Sequence, residues 1–335
     1  MFNQTLEYFS GYPLILAPNG PERLRNAQLD GRPIDVYLDR RGNRVQVHNL
    51  TRDYHLYILV SRWAAVLDGA VTWDAEKRVV SLFVKFETRP TSAIVPAIVA
   101  LDGSSPYPIP RGLDVENISA VYSAPGAEGG DLTGLVFVHK DGSQIGFWLS
   151  PDLFHYLKFR KADQPLTDFR VEYVGIACGE NGDVSVFDRA KAHERIVELQ
   201  GDLQQRHRNR DLFIMAYDPA YRVVGQDIVT MPAMLERLMS GKMKSIYEAI
   251  EASLIGYFQP KYNIQFKDFP KNKPHWLNGE FRAFNGPALL VERISVTLVS
   301  DSSYNSPGDQ WSFGRLASAD VPPDDLHFVE FDGLR

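Results

Sequence analysis

The sequence predicts an α+β protein: an N-terminal antiparallel β domain, sandwich or barrel-like, then a small mixed α/β domain and a β-rich C-terminal extension. Three observations predict this class. Apolar and polar residues alternate between turn signals up to about residue 150, helix and strand patterns alternate after it, and β texture returns from about residue 281. The expected domains are residues 1–150, 151–280 and 281–335, the last ending in an acidic tail.

Three segments of the N-terminal domain read as two strands joined by a turn. They are RPIDVYLDRRGNRVQVHNL, VTWDAEKRVVSLFVKFE and LTGLVFVHKDGSQIGFWLS, with RRGN, DAEK and KDGS as the turns. This domain shows no His or Cys at metal-ligand spacing and no glycine-rich phosphate loop. It is expected to choose a target or to bind a partner.

The middle domain is expected to alternate strands and helices. FRVEYVGIA (169–177) and DLFIMAYD (211–218) read as strands, and DRAKAHERIVELQGDLQQ reads as a helix with Asp188 as its N-cap. MLERLMSGKMKSIYEAIEASLIGYF supplies one or two helices, with Gly241 as a candidate break. The last helix should end at Gln259, because Pro260 cannot continue it.

Composition narrows the class of protein. With 335 residues, 44% hydrophobic and 23% charged, the chain is expected to be globular. A single cysteine, Cys178, cannot form an internal disulfide, which fits a reducing cytosol. The opening stretch has no basic leader followed by an apolar run, and no eighteen apolar residues follow one another, so we expect a cytoplasmic protein that does not span a membrane.

The net charge of −6 argues mildly against a surface made for nucleic acid. It hides a local excess of lysine, however. Between residues 242 and 273 the sequence contains six lysines and three acidic residues.

A few residues of the middle domain could carry chemistry. Arg189 and His193 lie four apart, on one helix face, and Glu251 lies one turn ahead of two apolar helix residues. A carboxylate, a guanidinium, an imidazole and nearby tyrosines are the groups that metal-assisted phosphodiester hydrolysis needs. Taken singly, each is more often part of a solvated helix face, and Tyr173 in a Val-rich strand is more often core.

The order and spacing of these residues resemble the GIY-YIG nuclease family over roughly residues 155–265. Tyr-Val-Gly at 173–175 is followed by Arg189 and His193, a strand, and Glu251 on a helix that leads to Pro-Lys-Tyr-Asn at 260–263. In that family a strand carries Tyr-Ile/Val-Gly, the next helix carries Arg and often His four residues later, and a late helix carries a metal-binding Glu. The spacing from Glu251 to Pro260 and Asn263 resembles that of the bacterial excision-repair endonuclease.

The resemblance implies an endonuclease that depends on Mg²⁺ or Mn²⁺ and hydrolyses DNA, with a role in restricting foreign DNA as an analogy. Glu251 would bind the metal, Arg189 would clamp phosphate oxygens, His193 would assist proton transfer and Asn263 would orient the site by hydrogen bonding. Either Tyr173 or Tyr156 would position or deprotonate the attacking water. The expected substrate contacts are Gly175, Lys261 and Lys267.

The sequence departs from the family pattern at two points. The loop between Gly175 and Arg189 is longer than in compact members, and is a candidate for substrate contacts or regulation. The first tripeptide, Gly-Ile-Tyr, is not found shortly before Tyr173. Tyr156 in HYLKF is the expected replacement, on the first strand of a hairpin with KADQPLTD as its enlarged turn, and FWL at 147–149 is a rival without a tyrosine.

Two other classes of function remain open. One is an inactive nuclease fold that binds nucleic acid or protein, favoured by the missing first tripeptide and the negative net charge. The other is a structural or assembly protein, a homo-oligomer for example, whose β-rich flanks form interfaces. Metal-dependent cleavage would exclude the first, and ordered self-association without nucleic-acid affinity would support the second.

Overall fold

The protein is a mixed α+β chain, rich in strands and poor in helices among the residues that this computed structural model describes. Side chains are described for most of residues 54–101, 115–120, 135–146, 166–177, 194–217, 247–269 and 297–301. Isolated positions between 154 and 189 are also described, and several short strands elsewhere by backbone alone.

The strands and helices are numbered in chain order. They are β1 (Thr5–Ser10), β2 (Leu14–Leu16), β3 (Asp35–Leu38), β4 (Arg44–Gln46), β5 (Leu56–Trp63), β6 (Ala65–Asp74), β7 (Val79–Phe86), β8 (Ala93–Ala100), β9 (Val115–Tyr122), β10 (Leu132–His139), β11 (Gln144–Trp148), β12 (Lys158–Phe159), α1 (Gln164–Thr167), β13 (Phe169–Ile176), α2 (Glu194–Arg206), β14 (Arg210–Tyr217), β15 (Pro219–Val224), α3 (Met243–Phe258), β16 (Ala288–Glu292), β17 (Leu298–Val299), β18 (Tyr304–Asn305), β19 (Gln310–Arg315) and β20 (Leu326–Phe331).

A six-stranded sheet forms the centre of the described fold, in the order β18-β17-β13-β5-β14-β2. Its middle strand, β5, runs antiparallel to both β13 and β14. Seven of the eight residues of β5 are buried, because helices cover both faces of the sheet. β5 is therefore the strand from which both halves of the core are built.

The two faces of the central sheet carry different helices. Helix α3 packs on one face through Ile250, Leu254, Ile255 and Phe258. Helix α2 packs on the other through Ile196, Leu199 and Leu203, whose spacing places them on one helix face.

The chain between β5 and β13, residues 64–168, forms a unit with its own core, called here the inserted unit. A four-stranded sheet, β12-β8-β7-β6, and a three-stranded sheet, β11-β10-β9, share that core. The predicted β6–β7 and β10–β11 hairpins are both present, and so is the β3–β4 hairpin outside this unit. Arg62, fully buried at the root of the unit, lies over Phe154 of the inserted core and over Phe169 and Phe213 of the central sheet.

The expected boundary between residues 150 and 151 does not separate two sheets. β2 and β5 come from one side of it and β13 and β14 from the other, yet all four belong to the central sheet. A second sheet, β15-β1-β16-β19-β20, also joins the start of the chain to its later part. Period-two patterning identified the strands but carries no information on which sheet each strand joins. For this reason the sequence did not predict that β5 pairs with β13 and β14.

Candidate active site

Tyr57 and Tyr173 lie side by side on the face of the central sheet that α2 covers. The register of β5 and β13 pairs Tyr57 with Gly175. The two tyrosine rings are 6.1 Å apart between centroids, and a hydrogen bond joins their hydroxyls. Burial is the main cause that raises the pKa of both phenols, so both are protonated at neutral pH.

A β-bulge turns Tyr173 toward Tyr57. Before the bulge, Phe169 and Val171 of β13 face the α3 side, and strict alternation would place residue 173 there too. The register shifts between Val171 and Tyr173, so Tyr173 instead joins the α2 side and Val174 takes its place in the α3 core. An extra residue in one strand re-aims the side chains that follow it, which is how bulges commonly serve sites.

Glu172 is the extra residue of this bulge and is held at three points. Its carboxylate accepts a 2.7 Å hydrogen bond from Ser61 Oγ and lies 3.7 Å from Arg170 Nε. Its carbonyl oxygen accepts the backbone N–H of Tyr262 at 3.2 Å. These contacts keep a buried carboxylate paired and fix the bulge in place.

Gly175 leaves the space that the tyrosine rings occupy. A Cβ added at this position would lie 2.5 Å from Tyr57 Oη and 2.7 Å from Tyr173 Cε1, distances that real Cβ atoms essentially never show. Any larger residue would therefore displace a phenol. The structure gives Gly175 this steric role, and its expected role as a substrate contact stays a prediction.

Tyr57 was not identified from the sequence. Tyr156, the expected partner of Tyr173, lies outside the described residues, and the strand that follows it, β12, pairs with β8 of the inserted unit. FWL at 147–149 overlaps β11, which pairs with β10, and α1 occupies part of the expected hairpin turn. The sequence feature that could have identified Tyr57 is the tripeptide His-Leu-Tyr at 55–57, in which an apolar residue and a tyrosine begin a strand.

Asn263 fixes the backbone between Tyr173 and Gly175. Its Oδ1 accepts the N–H of Val174 and its Nδ2 donates to the carbonyl oxygen of Val174, both at 2.9 Å. The Asn263 side chain is 6% exposed, so these bonds are shielded from water. Asn263 thus makes its hydrogen bonds to the backbone of the Tyr173 strand, and its orienting role in an active site stays a prediction.

The end of α3 delivers Asn263 to this position. The helix ends at Phe258, and Gln259 follows in the left-handed region with φ 53°. Gln259 N donates to the carbonyl oxygen of Ile255, and Pro260 prevents any further helical turn. The predicted stop at Gln259-Pro260 is confirmed, and the chain then runs along β13.

Arg189 is helical and exposed at the site. Burial dominates the raised pKa of Tyr57, Tyr173 and Glu251, and the positive charge of Arg189 opposes that rise for all three. Arg195 acts on Tyr173 in the same direction, and its Nη1 lies 2.5 Å from Glu198 Oε2. The charge of Arg189 thus acts on both phenols and on the carboxylate.

Glu251 lies on α3, which packs on the opposite face of the sheet from the tyrosines, and its carboxylate lies at the end of β13. Its carboxylate accepts a backbone hydrogen bond from Ile176. Burial, and to a smaller extent neighbouring Glu248, raises its pKa to about 7, while Arg189 and the Ile176 hydrogen bond oppose that rise. The side chain is partly buried, and therefore more enclosed than the polar helix edge that the sequence predicts.

The residues present fit a hard divalent cation held largely by water and phosphate. No group of three or more His, Cys, Asp or Glu side chains that could hold a metal is found among the described residues. Mg²⁺ typically takes one or two carboxylates together with waters and substrate phosphates. Glu251, with Glu248 one turn away, supplies such a donor set, and a cation would favour the ionised carboxylate that burial disfavours.

The other expected site residues have less definite places. Lys261 is exposed, with Nζ 3.8 Å from Asp202 and 4.9 Å from the Tyr262 ring centroid, while Tyr262 donates a 2.6 Å hydrogen bond to Asp202. Lys267 accepts a hydrogen bond from Gln259 through its backbone carbonyl. His193 lies outside the described residues. Substrate contact by the two lysines stays a prediction.

Comparison with known proteins adds no relative. No family model, no curated protein and no solved structure matches the chain. Within the described residues, no helix has both the length and the apolar character needed to cross a membrane.

Proposed function

We propose that the protein is a metal-dependent endonuclease that hydrolyses DNA phosphodiester bonds, with a site of the GIY-YIG type. One observation carries the proposal: Tyr57, Tyr173, Arg189 and Glu251 influence one another at one end of the β5–β13 pair. Their order along the chain agrees with the family pattern of a Tyr-x-Gly strand, an Arg helix and a late Glu helix. Tyr57 supplies, on the antiparallel partner strand, the phenol that the first tripeptide supplies in the family.

The two tyrosines have complementary tasks in this proposal. Both phenols are neutral at physiological pH, and burial, which raises the pKa of each, disfavours their ionisation further. The hydrogen bond between the two hydroxyls holds the Tyr173 hydroxyl in one orientation, and a neutral phenol can both donate to a phosphate oxygen and accept from a water. The pair therefore orients the attacking water in line with the scissile P–O bond.

Arg189 and Glu251 supply the charges. Arg189 is exposed and presents a planar set of donors that can bind two non-bridging phosphate oxygens while charge grows on them. Glu251 would hold the divalent cation, which supplies charge stabilisation at the phosphate and the leaving oxygen when bound. A water oxygen forms the new bond to phosphorus, the P–O bond to the leaving oxygen breaks, and that oxygen gains a proton.

DNA cleavage with Tyr57→Phe tests the proposal. Wild type should cut DNA in Mg²⁺ or Mn²⁺ and not in a chelator. Tyr57→Phe should cut at least tenfold more slowly, because Tyr173 loses the hydrogen bond that orients its hydroxyl. Tyr217→Phe is the matched control, because Tyr217 is equally buried but belongs to the α3 core, where its hydroxyl donates to Met215 Sδ. DNA binding without metal-dependent cleavage would replace the proposal by the inactive, binding form of the fold.

A further inference from the structure

His55 holds the segment that leads to Arg189 against the start of β5. Ala177 N donates to the carbonyl oxygen of His55 at 2.7 Å, and Val186 N donates to the carbonyl oxygen of Tyr54 at 2.8 Å. The Ala177 bond extends the β5–β13 ladder beyond its last paired residues, Leu56 and Ile176, whereas the Val186 bond ties a later part of the loop to the residue before His55. The loop between Gly175 and Arg189, which is longer than in compact nucleases, is therefore fastened near both of its ends, at Ala177 and Val186.

The imidazole adds a side-chain fastening between those backbone bonds. His55 Nδ1 lies 3.0 Å from the carbonyl oxygen of Val184 and 3.4 Å from that of Ala177. Both partners can only accept, so Nδ1 must carry a hydrogen in either charge state of the ring. The contacts thus select one tautomer and require one donor at one ring position.

The position of the ring links this loop to the helix that bears Glu251. The His55 ring lies 5.2 Å from the buried Tyr247 ring, and Tyr247 lies four residues before Glu251 on α3, on the same helix face. Glu251 in turn accepts the N–H of Ile176, the neighbour of Ala177. His55 therefore contacts both the Arg189 segment and the Glu251 helix.

We infer that His55 is a positioning residue, which sets the distance between Arg189 and Glu251 through its Nδ1–H. The inference rests on the proposed function for its effect on cleavage, but not for its effect on the loop. Without the donor, the carbonyl oxygens of Val184 and Ala177 lose this partner, and the backbone bonds from Ala177 to His55 and from Val186 to Tyr54 open more often. The segment that leads to Arg189 is then held less firmly against the start of β5.

Three variants distinguish the role of Nδ1 from that of Nε2. His55→Asn keeps an N–H at the position of Nδ1 and removes Nε2, His55→Gln reaches to the position of Nε2, and His55→Phe keeps the ring beside Tyr247 without a donor. Amide hydrogen exchange at Val186 and Ala177, in metal-free and DNA-free protein, reports the loop directly. Single-turnover cleavage and DNA affinity report the site.

The Phe and Gln variants should exchange both amides at least tenfold faster than wild type, the size expected for one lost hydrogen bond, while Asn stays within a few-fold. The cleavage rate should follow the same order with DNA affinity little changed. Unaltered protection in the Phe variant would overturn the inference, as would a Gln variant that matches wild type while Asn does not. If wild type does not cut DNA, the proposed function fails, and the exchange data still decide the role of His55.

Discussion

Replacing Gly175 by alanine tests whether the tyrosine pair is packed as tightly as the structure indicates. The added Cβ would lie 2.5 Å from Tyr57 Oη and 2.7 Å from both Tyr57 Cζ and Tyr173 Cε1. Ordinary contact begins near 3.4 Å, so the rings must move by about 1 Å. Overpacking of this kind costs about 1–3 kcal/mol of unfolding free energy, and a shift of about 1 Å in a reacting group can lower the rate about a hundredfold.

Gly201→Ala is the matched control for this substitution. Gly201 lies within α2, and a Cβ there would meet nothing within 4 Å. Alanine should therefore stabilise the helix by about 0.5–1 kcal/mol and leave the cleavage rate unchanged. Urea unfolding gives the first quantity and single-turnover cleavage the second. A Gly175→Ala protein as stable and as active as wild type would show that the two rings do not occupy this space.

Three further predictions concern the charged and amide groups of the site. Glu251→Gln should abolish cleavage. Above pH 7 in metal-free buffer, the same substitution should raise the free energy of unfolding by roughly 1–2 kcal/mol. The rise of the Glu251 pKa from 4.5 to about 7 corresponds to roughly 3 kcal/mol, and solvent screening reduces this figure because the carboxylate is partly exposed. Since this pKa is raised on folding, wild-type stability falls as pH rises from 4.5 to 7, and pH-dependent urea melts that show no difference between the proteins would contradict this. Arg189→Lys should keep most DNA affinity and cut more slowly, and Arg189→Ala should cut about a hundredfold more slowly or worse; equal single-turnover rates would remove Arg189 from the mechanism. Asn263→Ala should cost about 2–4 kcal/mol in thermal or urea melts, because both backbone groups of Val174 lose their partner, whereas the exposed Gln265→Ala should stay within about 0.5 kcal/mol.

The parts of the site that local sequence determines were predicted. The strand around Tyr173, the strand β14 and the end of the helix that carries Glu251 follow from apolar periodicity and from a proline after the helix. The hydrogen-bonding role of Asn263 was implied by the family resemblance, through its spacing from Glu251 and Pro260. Each of these features is specified within about ten residues of chain.

The parts that long-range pairing determines were not predicted. His55 and Ala177 are 122 positions apart and still neighbours, and nothing in the pattern of β5 distinguishes a partner of β13 from a strand of the inserted unit. Tyr57 was missed for this reason, although it lies in a clear strand. The bulge at Glu172 was missed for a different reason, because strict alternation along the strand assigns Tyr173 to the opposite face of the sheet.

The inserted unit also determines the order in which the molecule can fold. Pairing β5 with β13 through an unfolded connection of roughly a hundred residues would require loop closure of about 4 kcal/mol, before any constant term. Once the inserted unit has folded on its own core, its two ends lie beside each other, as the pairing of Ser61 with Arg170 shows, and most of that entropy has already been lost. We therefore expect the tyrosine pair to form late, so that a substitution in the inserted core slows its formation without changing the finished site.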